Sequence, residues 1–115
     1  MILDLESIRI YVKPGPTDMR KQINGLAIVA EEDMQLDVFS GSLFIFCNRP
    51  RKILKALYWD RTGFCLWQKR LEKHRFPWPA TEQKAREIGI EELKMLLEGI
   101  DFWRAHQEIH YSSVS

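Results

Sequence analysis

The sequence is short of the residues that staple a chain or anchor it in a membrane. It has two cysteines, Cys47 and Cys65, too few for a disulfide framework and too isolated for a metal box. No apolar run approaches the roughly 20 residues that span a bilayer. The opening Met-Ile-Leu-Asp-Leu-Glu has no basic flank before an apolar stretch, so it does not read as a secretory leader. A cytoplasmic protein with no membrane partner is expected. A Gly-rich loop ending in Lys-Ser or Lys-Thr is also missing, which removes the usual phosphate cradle for a nucleotide, and no cofactor is expected. Net charge is nearly absent as well: 17 Lys and Arg against 16 Asp and Glu leave +1.

What is present fits one globular domain. The 115 residues, 45% hydrophobic and 29% charged, are enough to bury a core unaided. A single domain over residues 1–115 is expected, with its core at about 7–103 and a frayed tail over 104–115. The neutral total conceals a division. Between Arg49 and Pro79, nine basic residues face two acids, or +7 in 31 residues; the other 84 residues carry eight basic and fourteen acidic side chains, or −6. Such asymmetry bears on partners more than on fold.

Periodicity outlines the elements. Ser7 to Lys13 alternates, with Ile8, Ile10 and Val12 on one side, as a half-buried strand does. Pro14-Gly15-Pro16 stops it, and Thr17 or Asp18 can cap a following helix. Met19, Ile23, Leu26, Ala27, Ala30 and Met34 recur at helical spacing. Gly25 lies within that stripe, where close approach of a neighbouring backbone is its expected use. Leu43 to Cys47 is a continuous apolar run that suits a strand buried on both faces. Ile53–Trp59 and Phe64–Leu71 read as two strands joined by Asp60-Arg61-Thr62-Gly63, a type I turn with Gly63 left-handed. Phe76-Pro77-Trp78-Pro79 must leave the ladder. A second helix is expected from Ile90 to about Phe102, with Glu91 and Glu92 at its positive end. The fold class is α+β: a small, mostly antiparallel sheet of about four strands packed with two helices.

Catalytic chemistry finds little support. Cys47 and Cys65 fall in strands, where a thiol is usually a small buried hydrophobe. His106 and His110 are four apart, but His-Gln-Glu-Ile-His is not the zincin order, and they read as surface histidines. Glu31-Glu32-Asp33 and Glu91-Glu92 look like solvated helix faces and ends rather than a two-metal site. No catalytic residue, metal ligand or enzymatic activity is expected. Aromatics and cations do interleave from Tyr58 to Trp78. Cations suit phosphates and aromatic faces suit unstacked bases, although a small sheet also needs aromatics for its core.

Several of these segments resemble one family. They are Thr17-Asp18-Met19-Arg20-Lys21, Leu43-Phe44-Ile45-Phe46 with Asn48-Arg49, Tyr58-Trp59-Asp60 and Gly63-Phe64. Lys69-Arg70-Leu71-Glu72, Arg75-Phe76-Pro77-Trp78-Pro79 and Leu96-Leu97-Glu98-Gly99-Ile100-Asp101 belong with them. In order and spacing, from Val12 to Phe102, the chain resembles the TnpB-type, or Orf2-like, accessory proteins of the insertion sequence sixty-six transposable elements. That resemblance implies a bacterial mobile-element protein associated with transposition, encoded beside a separate transposase that carries the catalytic acids. It implies a process and no molecular mechanism. The chain departs from the family at Gln22 and His74, where glycine is usual.

The residues themselves then nominate a contact surface. Arg49, Arg51, Lys52, Lys55, Lys69, Arg70, Lys73 and Arg75 are expected to meet DNA phosphates. The alternative is a protein adaptor that sets the same cations against an acidic surface of the transposase or of another element-encoded protein. A nuclease is the third and weakest class. Thr17, Asp18 and Arg20 form a fold signature or an anion site; we read Asp18 as a helix cap and Arg20 as paired to an acid.

Overall fold

The continuous apolar run becomes the middle strand of a five-stranded sheet. The computed structural model describes residues 7–80 and 85–101. The strands are β1 (Ile10–Val12), β2 (Leu43–Cys47), β3 (Ile53–Asp60), β4 (Gly63–Arg70) and β5 (Arg86–Ile88), with helices α1 (Ile23–Glu32) and α2 (Ile90–Leu97). Spatial order is β4-β3-β2-β1-β5. All five residues of β2 are buried, as a strand covered on both faces requires. β1 pairs parallel with β2, and the other three pairings are antiparallel. The α+β class is thus confirmed, with one strand more than expected. The extra strand, β5, is only three residues long and pairs with β1, too short to leave a period in the sequence.

Each face of the sheet has its own cover. On one, Ile10, Val12, Ile45, Leu54 and Ala56 pack with Leu93 and Leu96 of α2 and with Phe76 and Trp78. On the other, Phe44, Phe46 and Leu57 meet Leu26, Val29 and Ala30 of α1 and then Met34 and Val38. Phe76-Pro77-Trp78-Pro79 indeed leaves the ladder and crosses the α2 face as a strap. Burying a large apolar side chain contributes about 2–3 kcal/mol, so Phe76 and Trp78, 0% and 8% exposed, hold the strap without strand pairing.

Four local expectations are corrected. α1 starts at Ile23 rather than near Thr17, with Gln22 as an N-cap that makes no side-chain capping bond. Asp18 is used otherwise, accepting the Arg20 N–H at 2.9 Å in a tight turn. The hairpin connection is two residues long, and its left-handed residue is Arg61 (φ 48°), not Gly63. β3 runs to Asp60 and β4 starts at Gly63, so the reversal falls on the first loop position. Beside Gly25 lies the aliphatic stem of Lys21, within 3.1 Å of where a Cβ would stand, and not a neighbouring backbone. α2 ends at Leu97, followed by Gly99 in the left-handed region (φ 80°) that favours glycine after a helix. Phe102, the tail over 104–115, His106 and His110 lie outside the described residues.

Candidate nucleic-acid interface

Topology gathers what the sequence spreads out. Because β1 and β2 run parallel, the loops after Val12 and after Cys47 leave the same end of the sheet. Register brings β3 and β4 to that end too, since Cys47 faces Leu54 and Leu54 faces Lys69. The +7 segment therefore delivers Arg49, Arg51, Lys52, Lys69, Arg70, Lys73 and Arg75 to one end, with Arg61 alone at the hairpin tip opposite. Residues 13–20 arrive beside them.

Backbone bonds make that end rigid. Asn48 Oδ1 accepts the N–H groups of Lys52 and Ile53 at 2.9 and 3.0 Å. Arg51 N–H closes the turn onto the Asn48 carbonyl at 3.1 Å. With the backbone of this loop satisfied internally, the side chains of Arg49 and Arg51 extend from a fixed frame, and both residues are exposed. Thr17 N–H donates to the Cys47 carbonyl, Gly15 N–H to Pro79, Phe76 N–H to Arg51 and Leu71 N–H to Lys52, at 2.8–2.9 Å. Trp78 Nε1 donates to the carbonyls of Lys13 and Gly15 at 2.9 and 3.1 Å. Four chain segments are thereby bonded into one surface. Gly99 follows closely, its Cβ position 3.5 Å from the Arg75 carbonyl, so the end of α2 lies over the 71–75 turn.

A groove runs across this surface. One part, about 250 Å³, is lined by Gly15, Pro16, Asn48, Arg49, Arg51 and Trp78. The other, about 580 Å³, adds Thr17, Asp18, Met19 and Arg20 and shares Pro16, Asn48 and Arg49 with the first. Its acid is already answered: the Arg20 guanidinium grips Asp18 through bonds of 2.8–3.1 Å. That fork, with the Arg20 N–H, holds the Asp18 carboxyl down at about 2. Arg20 is thus paired as expected, with the aspartate read as a cap. Thr17 is buried, and its hydroxyl has no partner among the described residues.

The nominated cations differ in their surroundings. Arg49, Arg51, Lys73 and Arg75 are exposed and make no ion pair among the described residues. Lys52 and Lys69 are half-buried. Arg70 bonds Glu72 at 3.1 Å in an exposed pair, a contact of little energetic weight. Lys55 does not belong to this surface. At 2% exposure its amine lies under residues 19–21 and donates to the carbonyls of Met19 and Lys21, both at 2.9 Å. Strand alternation turns Lys55 inward beside Phe46, so it braces the groove wall from beneath.

The interleaved aromatics separate from the cations. Tyr58, Phe76 and Trp78 are buried. Trp59 and Phe64 pack with exposed Phe39 at the hairpin end, with ring centroids 5.0–5.6 Å apart, away from the groove. Burial pushes the Cys47 thiol up to about 12, in keeping with a buried structural cysteine. Among the described residues no group of three or more His, Cys, Asp or Glu could hold a metal ion, and no helix is long and apolar enough to cross a membrane. Sequence reasoning missed Asn48 and Trp78 as the fasteners of the groove. The Asn before Arg-Pro was a signal for the first, since asparagine favours turns whose backbone it can bond.

The family model described as IS66 Orf2-like protein matches residues 8–107. Two proteins of Sinorhizobium fredii are similar along nearly their whole length. The uncharacterized protein y4hO is 40% identical over 103 residues, 90% of this chain and 89% of its own. The uncharacterized protein y4jC is 31% identical over 108 residues, 94% of this chain and 92% of its own. No solved structure matches.

Proposed function

The chain belongs to the IS66 Orf2-like family of transposition-associated accessory proteins, and from that premise we propose that it assists transposition, without catalysing it, by holding duplex DNA through its phosphates. One observation carries this reading: the cations of a +7 segment are assembled at one end of the sheet on a bonded frame, and Arg49, Arg51, Lys73 and Arg75 there have no acid partner among the described residues. Phosphate contact needs fixed, unneutralised cations. Single-strand binding would also need aromatic faces beside them, and among the described residues the exposed aromatics are Phe39, at the hairpin end, and Trp67, in the middle of β4, neither of them in the loops that carry these four cations. Duplex backbone is therefore favoured over unstacked bases. The setting is the bacterial cytoplasm, where the element's DNA is found.

A labelled duplex of arbitrary sequence, titrated at 50 and 200 mM salt, tests the reading. With four or five phosphates neutralised, affinity should fall by about 10²–10³ between the two conditions. Reversing the charge of Arg49, Arg51, Lys73 and Arg75 together should abolish the complex and leave the melting temperature near that of the parent, because all four are exposed. No complex at either salt would overturn it. If the transposase then copurified with the parent and not with the reversed variant, the adaptor reading would take its place.

A further inference from the structure

We propose that the outer edge of β4 docks against the same edge of a second copy of the chain, forming a twofold dimer with a continuous ten-stranded sheet. This reading does not depend on DNA binding. β4 is a terminal strand, eight residues long, paired with β3 in unbroken register, and no described strand pairs with its outer side. It contains no proline and no bulge, two of the devices that blunt such an edge, and its charged residues, Lys69 and Arg70, are confined to its last two positions.

Its outward groups match themselves. Leu71 N–H points to the Lys52 carbonyl on the β3 side, so alternation aims the backbone groups of Phe64, Leu66, Gln68 and Arg70 outward. Two antiparallel copies can use all four only when the axis passes at Trp67. Phe64 then faces Arg70 of the second copy and Leu66 faces Gln68, making about eight hydrogen bonds at two per bonded pair.

The side chains agree with that register. β4 has an aromatic first half and a cationic second half, Lys69-Arg70. Antiparallel pairing lays cations on aromatics, whereas parallel pairing would set like charges side by side. Arg70 of one copy reaches the ring of Phe64 in the other, within the cluster that leaves Phe39 56% exposed. A guanidinium over such rings is a favourable cation–π contact. Across the sheet Trp67, 37% exposed in mid-strand, meets its own counterpart. A second copy thereby covers two of the four large hydrophobics that are exposed among the described residues, and the two basic ends lie at opposite ends of the joined sheet.

Light scattering of the full chain, free of nucleic acid and in 0.5 M salt to suppress charge-driven association, should give twice the 13.6 kDa chain mass. Trp67→Lys places two amines across the axis and should weaken the dimer at least tenfold. Lys69→Cys puts a thiol opposite Cys65 of the second copy. Within one chain these positions are four strand residues apart, about 13 Å, beyond the reach of a disulfide. Oxidised Lys69→Cys should run as a covalent dimer, and adding Cys65→Ser should abolish it. A monomer up to about 100 μM, or a dimer that is indifferent to Trp67→Lys and fails to cross-link, overturns the proposal. Should Trp67→Lys fail to fold, the cross-link decides alone.

Discussion

Lys55→Met separates a buried brace from a surface contact. Methionine keeps the apolar stem beside Phe46 and under residues 19–21 but leaves the carbonyls of Met19 and Lys21 without their donor. An unsatisfied buried carbonyl costs about 1–3 kcal/mol, and the lower half applies because Lys21 is exposed and water can reach its backbone. Two such losses come to about 3 kcal/mol. Removing the need to bury an amine offsets about 1 kcal/mol of this, for a net destabilisation of about 2 kcal/mol. At about 2.1 cal/mol/K of unfolding entropy per residue, the melting temperature should fall by about 8 °C. Differential scanning calorimetry reads that shift, and anisotropy with a labelled duplex reads binding below the transition. Binding should change less than twofold, because the Arg49 and Arg51 loop is closed by its own bonds. An unchanged melting temperature with a tenfold loss of binding would refute the reasoning and return Lys55 to the contact surface.

Other outcomes follow from single residues. Arg51 holds φ 62°, a conformation that costs a non-glycine residue about 1 kcal/mol. Arg51→Gly should therefore raise stability by about 0.5–1 kcal/mol in urea titration while weakening DNA binding; a loss of stability would show that the loop relies on the arginine side chain. Asp18, held near 2 by Arg20, has a lowered folded-state pKa, so its contribution to stability is present above about 4 and is lost as pH falls through about 2. Carbon-detected NMR titration should find its carboxyl still ionised at pH 3, and a midpoint near 4 would mean that the fork is not formed in solution. Cys47, buried and pushed to about 12, should stay unmodified by a thiol reagent at pH 8 until the chain unfolds; rapid labelling of both cysteines in the native protein would contradict its burial.

The sequence made the elements legible where a local period is strong. Leu43–Cys47 read as a doubly buried strand because all five residues are apolar, and the β3–β4 pair because two strand-like runs flank a short turn. β5 escaped because three residues carry no period. The start of α1 was misplaced because Asp18 offers the same oxygen to a helix cap or to a tight turn, and the choice was made by Arg20, two residues on. The hairpin turn was misassigned for a similar reason, since glycine can be left-handed but loop length decided where the reversal fell. The cations were visible as a segment, yet their convergence was not. It depends on the antiparallel register of β2, β3 and β4, which sets the 48–52 loop beside the end of β4, and on the parallel pairing of β1 with β2, which brings residues 13–20 to the same end. Lys55 shows the same limit. Composition counts it with the other cations, while strand alternation, fixed only by register against Phe46, turns it inward.

Arg49→Glu with Arg51→Glu, compared with the parent across a series of salt concentrations, tests the central claim most directly. Both arginines project from a loop closed by Asn48, so the variant should fold like the parent. If they meet DNA phosphates, affinity should drop by at least tenfold at 100 mM salt, and the slope of log affinity against log salt should become shallower by about 2, one for each lost phosphate contact. A variant that binds duplex DNA with the affinity and salt slope of the parent would contradict the claim that this end of the sheet is the surface that holds DNA.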